Sequence, residues 1–105
     1  MIKIGFAKCT VLGSYLVLDI FYQENLFTIK NSNITIELTP SQFTGKLLRD
    51  EITLLSGWTN IIEILKNDCK QRLENCKTMF NHLKIETELK ALDDILDKFK
   101  MMEEE

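Results

Sequence analysis

The sequence is poor in residues that break regular structure and in residues that perform most catalysis. Of 105 residues, one is proline, four are glycine, one is histidine and three are cysteine. So little proline and glycine, together with 45% hydrophobic residues, excludes a disordered chain and indicates a single folded domain over residues 1–105. A glycine-rich phosphate loop, closely spaced zinc ligands and a nucleophile motif are all missing. We therefore expect no catalytic activity, no cofactor and no metal.

The cysteines argue for an intracellular protein. Cys9, Cys69 and Cys76 are odd in number and mostly far apart, whereas a small secreted domain stapled by disulfides carries an even set at closer spacing. We expect reduced thiols. No apolar stretch approaches the ~20 residues that span a bilayer, so we expect no association with a membrane.

The charge balance gives little support for nucleic acid as a partner. Thirteen basic residues stand against sixteen acidic ones, for a net charge of −3. The second half of the chain holds a modest basic group at Lys66, Lys70, Arg72 and Lys77. Binding of nucleic acid usually needs a denser patch or interleaved exposed aromatic residues, so we do not expect it here.

Residues 1–38 carry the pattern of strands. Apolar residues alternate at the start of the chain, and residues 14–22 are apolar at both parities, which predicts a central strand covered on both faces. Turn candidates around residues 23–25 and 31–33 separate further short strands. The sequence predicts a small antiparallel meander of three or four strands.

The period changes at Thr39. Thr39, Pro40 and Gln42 stand at the cap, first and third positions expected of a capping box, which predicts the start of a helix. The apolar residues that follow at helical spacing are Phe43, Leu47, Leu48, Ile52 and Leu55. We therefore predict a helix over residues 40–55, ended by Ser56 and Gly57.

Residues 58–102 contain neither proline nor glycine and carry two apolar stripes at helical spacing. The first stripe consists of Trp58, Ile62, Leu65, Cys69, Leu73, Cys76, Phe80 and Leu83. The second consists of Ile85, Leu89, Leu92, Leu96 and Phe99. If residues 58–102 formed one ideal helix, the two stripes would lie on nearly opposite sides of it, with the change of roughly half a turn near residues 83–87. Either the helix breaks there and folds back as a hairpin, or one long helix offers its two halves to different partners.

Charge favours antiparallel pairing of the two halves, within one chain or between two. Residues 66–84 hold five basic and two acidic side chains, net +3, whereas residues 85–105 hold three basic and eight acidic ones, net −5. The sequence leaves the long helix and the hairpin open. The fold class we predict is α+β: a sheet with its first helix over residues 1–57, helices over 58–102 and an acidic tail over 103–105.

The first stripe is the main indication of function. A sheet this small has one face to bury, and the helix over residues 40–55 covers that face, so the apolar residues of the stripe need another surface to pack against. We expect a non-catalytic protein–protein interaction or assembly module that acts through its C-terminal helices, as a homodimer or as a subunit of a larger complex. All eight residues of the first stripe are the interface candidates. The alternative is a small acidic regulator, an inhibitor or chaperone-like protein, that binds a target enzyme or a nucleic-acid-binding protein as a monomer through Asp93, Asp94 and Asp97.

Overall fold

The computed structural model describes residues 2–11 and 13–103, which form five strands and three helices. The elements in chain order are β1 (Ile2–Val11), β2 (Ser14–Gln23), β3 (Leu26–Lys30), β4 (Thr35–Leu38), α1 (Pro40–Leu48), β5 (Ile52–Ser56), α2 (Trp58–Asn75) and α3 (Met79–Glu103). The fold is α+β, and β1 to β4 form the predicted antiparallel meander. Of the predicted acidic tail, Glu104 and Glu105 lie outside the described residues.

Both turn predictions in the meander are confirmed. Glu24 and Asn25 join β2 to β3 with φ angles of 52° and 63°, as a two-residue type I′ hairpin requires. Between β3 and β4 the Asn31 Oδ1 accepts hydrogen bonds from the backbone N–H groups of Asn33 and Ile34, at 2.7 and 2.9 Å. Asparagine is suited to both turns because its short amide satisfies nearby backbone donors and tolerates the left-handed conformation.

The capping box at the start of α1 is also confirmed. The Gln42 backbone N–H donates to Thr39 Oγ1 at 3.2 Å, and the Thr39 backbone N–H donates to Gln42 Oε1 at 2.9 Å. Pro40 occupies the first helical turn, where a missing N–H costs nothing. The cap therefore satisfies two backbone donors at the point where the chain changes from strand to helix.

The prediction of a helix over residues 40–55 is wrong in its second half. Helix α1 ends at Leu48, Asp50 turns the chain with a φ of 61°, and residues 52–56 form β5. Ile52 and Leu54 point into the core with exposures of 3% and 2%, while Leu55 points away. Burial therefore alternates at every second residue, as in a strand, although the apolar spacing of the segment also fits a helix. Pairing with β1, from a distant part of the chain, selects the strand.

The sheet has the order β4-β3-β2-β1-β5, with every neighbouring pair antiparallel. Helices α1 and α2 pack on one face of the sheet, and α3 packs against α2 and α1. Strand β2 is central, as residues 14–22 predicted, but it is covered on one face only. Leu18 and Ile20 are fully buried, whereas Tyr15 and Val17 are 68% and 58% exposed on the opposite face.

The C-terminal segment is a helical hairpin, one of the two arrangements that the sequence left open. Salt bridges from Lys66 to Asp93 and from Arg72 to Glu88 join α2 to α3 in antiparallel orientation. The break lies at residues 76–78 and not at 83–87, so that part of the prediction is wrong. Thr78 explains the position, because its Oγ1 accepts from the Asn81 backbone N–H at 3.2 Å and starts α3 as an N-cap.

Two glycines allow α2 to begin directly beside β1. Gly57 has a φ of 76°, and a Cβ on it would lie 2.1 Å from the Ile4 carbonyl oxygen. A Cβ on Gly5 would lie 2.3 Å from the Ser56 carbonyl oxygen. The two backbones therefore approach more closely than any larger residue permits, and Trp58, the first residue of α2, packs against the core.

Candidate interaction surfaces

The hairpin divides the eight interface candidates of the first stripe between the core and the surface. Ile62, Leu65 and Cys69 are fully buried within the chain. Trp58, Leu73 and Cys76 are half-buried and pack against the core. Phe80 and Leu83, by contrast, are 77% and 55% exposed. The chain itself therefore covers most of this stripe, and only its last two members face outward.

The second stripe explains why Phe80 and Leu83 point away. Ile85, Leu92 and Leu96 are buried on α3, and Leu89 and Phe99 pack beside them. At about 100° per residue, Met79, Phe80 and Leu83 lie between about 120° and 220° from Ile85 around the helix, on its outward side. Met79 is 73% exposed. We call these three residues, Met79, Phe80 and Leu83, the hairpin-end patch.

Arg72 fixes the hairpin that displays this patch. Its Nε donates to Asp68 at 2.9 Å, its Nη1 donates to Glu88 at 3.1 Å, and its Nη2 donates to the Cys69 sulfur at 3.2 Å. Every arm of the guanidinium is thus engaged, one of them across to α3. Burial raises the pKa of the Cys69 thiol, although the positive charge of Arg72 opposes that shift. Cys69 therefore stays a neutral thiol beside the ion-paired arginine.

The acidic partner surface that the sequence indicated is split by the hairpin. Asp93 is half-buried and its carboxylate forms a salt bridge with Lys66 of α2. Asp94 and Asp97 are exposed. One of the three carboxylates thus joins the helices together, and the remaining two alternate with lysines along the outward side of α3.

Sequence reasoning missed a second apolar surface, on the face of the sheet that no helix covers. Tyr15 and Val17 of β2 and Leu55 of β5 are 68%, 58% and 42% exposed there. Phe6 and Phe21 lie on the same face and are half-buried, since Phe6 pairs with Asp19 and Phe21 is two residues further along β2. We call this surface the open sheet face. The sequence signal for this surface was that residues 14–22 are apolar at both odd and even positions. That pattern predicted a strand buried on both faces, whereas the structure buries one face.

Over residues 2–11 and 13–103, no three side chains of the His, Cys, Asp or Glu type come together as a metal site would require. In the same part of the chain, none of the helices combines the length and the apolar character needed to cross a bilayer. His82 is partly exposed on α3, with its Nδ1 at 3.4 Å from Glu86 Oε1.

Comparison of the chain with models of protein families, with curated proteins and with solved structures gives no match.

Proposed function

We propose that the protein is a non-catalytic protein–protein interaction module that assembles through the hairpin-end patch. The observation that carries the proposal is the exposure of Met79, Phe80 and Leu83 at 73%, 77% and 55% on one side of one helix. Soluble domains seldom present several large apolar side chains together without a partner for them. The patch belongs to the helices that the sequence indicated as the interface.

The energetics set the size of the interface. Complete burial of three such side chains stabilises a complex by roughly 4.5–9 kcal/mol in total, at about 1.5–3 kcal/mol for each. Association costs about 4–15 kcal/mol in lost translational and rotational freedom. The patch is therefore the centre of a larger contact, in which polar side chains around it, such as Lys84 and Thr87, form the rim.

The structure of the patch supports this proposal over the acidic regulator. The apolar side chains lie on the first two turns of α3, which Thr78 caps and the Arg72 network holds against α2. A rigid support lowers the entropy lost on binding. The acidic surface has no comparable support for a separate role, because Asp93 is already paired with Lys66 and lysines flank Asp94 and Asp97.

A photo-crosslinking experiment in the cells that make the protein tests the proposal. Benzoylphenylalanine is introduced at Leu83 and, as a matched control, at Met101, which is 68% exposed near the other end of the same helix. We expect a discrete crosslinked product from position 83 and none from position 101. A product of twice the chain mass identifies a second copy, and any other discrete mass identifies a subunit of another kind.

The same prediction is checked on the purified protein. If the partner is a second copy, the mass measured by light scattering decreases to that of a monomer in Phe80→Ser and Leu83→Ser and stays unchanged in Met101→Ser. The proposal is wrong if position 83 gives the same products as position 101 and the mass is that of a monomer in every variant.

A further inference from the structure

The open sheet face carries three lysines, each placed over an aromatic ring. Lys8 Nζ lies 4.6 Å from the centre of the Tyr15 ring, Lys30 Nζ lies 5.0 Å from that of Phe21, and Lys3 Nζ lies 5.5 Å from that of Phe6. The six residues come from three adjacent strands, β1, β2 and β3. A cationic head and a flat apolar ring are therefore repeated side by side across the middle of the sheet.

The charges on this face are positive in balance, although the chain as a whole is negative. The outward positions of the five strands hold three lysines and two carboxylates, those of Asp19 and Glu37, which leaves +1 against −3 for the chain. Lys3 neutralises Asp19 at 2.9 Å. Within the described part of the chain no salt bridge engages Lys8 or Lys30. Asp19 lies opposite Lys30 in the strand register, but its carboxylate pairs with Lys3.

We propose that the open sheet face binds single-stranded nucleic acid. Unpaired bases stack on Tyr15, Phe21 and Phe6, and the phosphates between them pair with Lys8 and Lys30. Stacking of a base on an aromatic side chain contributes about 1–3 kcal/mol, whereas an exposed cation–π contact contributes about 0.5–1 kcal/mol. A base therefore displaces a lysine from its ring, and the released ammonium group moves to a phosphate.

The charge distinguishes this occupant from a second copy of the chain. A second copy on this face would bring its own positively charged face against Lys8 and Lys30. Among the described residues of the face, Glu37 is the carboxylate without a salt bridge that could offset them. A polyanion neutralises both lysines directly. Duplex nucleic acid does not fit, because the rings need bases that are free to leave their stack.

The open sheet face is not the basic group that was considered, and not favoured, as a nucleic-acid site from the sequence. That expectation rested on the net charge and on basic residues that lie in or beside α2, such as Lys70 and Lys77. The lysines of the open sheet face are separated along the sequence and meet their rings through strand pairing. The inference is also independent of the hairpin-end patch, which lies on α3.

Fluorescence anisotropy with a labelled single strand of about 12 nucleotides, of mixed sequence, tests the proposal on the full chain. The titration is made with DNA and with RNA at about 50 and 200 mM salt, and the affinity should fall as salt rises. We expect Tyr15→Ser to weaken binding about 5- to 150-fold, the equivalent of one lost stacking contact. The dependence on salt should stay unchanged in that variant.

Lys8→Gln distinguishes a phosphate contact from general attraction. Loss of one neutralised phosphate on a single strand should reduce the slope of log affinity against log salt by about 0.7. Matched controls are Lys70→Gln, which removes an exposed lysine from α2, and Met101→Ser, which removes an exposed apolar side chain from α3. Both should keep the wild-type affinity and slope.

Three results would overturn the proposal. The first is no change in anisotropy up to about 100 μM protein at the lower salt concentration, which is the weak end of the range of dissociation constants typical of non-specific binding at physiological salt. The second is an equal loss of binding in the control variants and in Tyr15→Ser or Lys8→Gln. The third is a wild-type dimer that Val17→Ser converts to a monomer, because the face would then be occupied by a second copy. Thermal unfolding of each variant confirms that it is folded, and Tyr15 and Val17 are exposed enough for substitution to leave the core intact.

Discussion

The indole of Trp58 stacks on the ring of Phe99, with the ring centres 5.0 Å apart and the planes inclined by 7°. The pair joins the first residue of α2 to the last turns of α3. It therefore closes the hairpin at the end opposite the break at residues 76–78, while Arg72 and Glu88 join the helices nearer to that break.

Phe99→Ala should test how much this stack stabilises the fold. We expect the free energy of unfolding to fall by about 2 kcal/mol, less than the roughly 3–5 kcal/mol of a fully buried phenylalanine because Phe99 is half-buried. Urea unfolding measures the change. Met101→Ala, at an exposed position on the same helix, should stay within about 0.5 kcal/mol of the wild type. Equal losses in the two variants would mean that the ring contact contributes nothing of its own.

Thr78→Ala separates the hairpin from a continuous helix by the sign of its effect. Loss of an N-cap costs about 1 kcal/mol, so the hairpin should become less stable. In an unbroken helix the same substitution would add stability, because alanine has the higher helix propensity. Thr87→Ala is the control, since Thr87 lies inside α3 and its hydroxyl donates to the Leu83 carbonyl oxygen. That variant should be neutral or slightly more stable in thermal unfolding.

Gly57→Ala and Gly13→Ala form a matched pair. Both glycines have positive φ angles, 76° and 81°, but the space around a Cβ is open at Gly13 and filled by backbone at Gly57. Gly13→Ala should cost about 1–2 kcal/mol for the left-handed conformation alone. Gly57→Ala should cost clearly more, because α2 must also move away from β1. Similar denaturation midpoints for the two variants would contradict the close approach of the backbones.

The stability of the protein should decrease in alkaline solution because of its buried thiols. Burial raises the pKa of Cys9 and of Cys69, so the folded chain retains thiol protons that the unfolded chain releases near its pKa of about 8.5. The unfolded state then binds fewer protons, and the free energy of unfolding falls as pH increases above about 8.5. The slope is at most about 1.4 kcal/mol per pH unit for each thiol.

Urea unfolding between about pH 7.5 and 9.5 checks this slope. Cys9→Ala and Cys69→Ala should each make the fall shallower than in the wild type. Cys76→Ala removes a half-exposed thiol and controls for the substitution itself. The explanation fails if all three variants keep the wild-type slope.

Local chemistry made the first part of the fold predictable. The capping box at Thr39 and the turn at Asn31 depend on hydrogen bonds between residues that are at most three positions apart, so the sequence reveals them directly. The two apolar stripes were likewise visible from their spacing. Thr78 was overlooked: threonine is a preferred N-cap residue, but position 81 holds Asn and not the Glu or Gln that completes a capping box.

Distant pairing decided what the sequence did not reveal. The apolar spacing of Phe43, Leu47 and Ile52 fits a helix, while Ile52 and Leu54 also fit a strand. The strand forms because β1 has one backbone edge that β2 does not pair with, and residues 52–56 pair with that edge. Phe80 and Leu83 continue the spacing of α2 but belong to α3, so their exposure follows from the position of the break. The open sheet face depends on strand register, which brings Lys30 of β3 beside Phe21 of β2.

The strand order has a consequence for how the sheet resists aggregation. Its two longest strands, β1 and β2 with ten residues each, lie inside the sheet, and the two outer positions are taken by β4 with four residues and β5 with five. Short outer strands offer few unpaired backbone groups to another chain. A protein shortened or unfolded at residues 52–56 would expose the long side of β1, and with it a template for cross-β assembly.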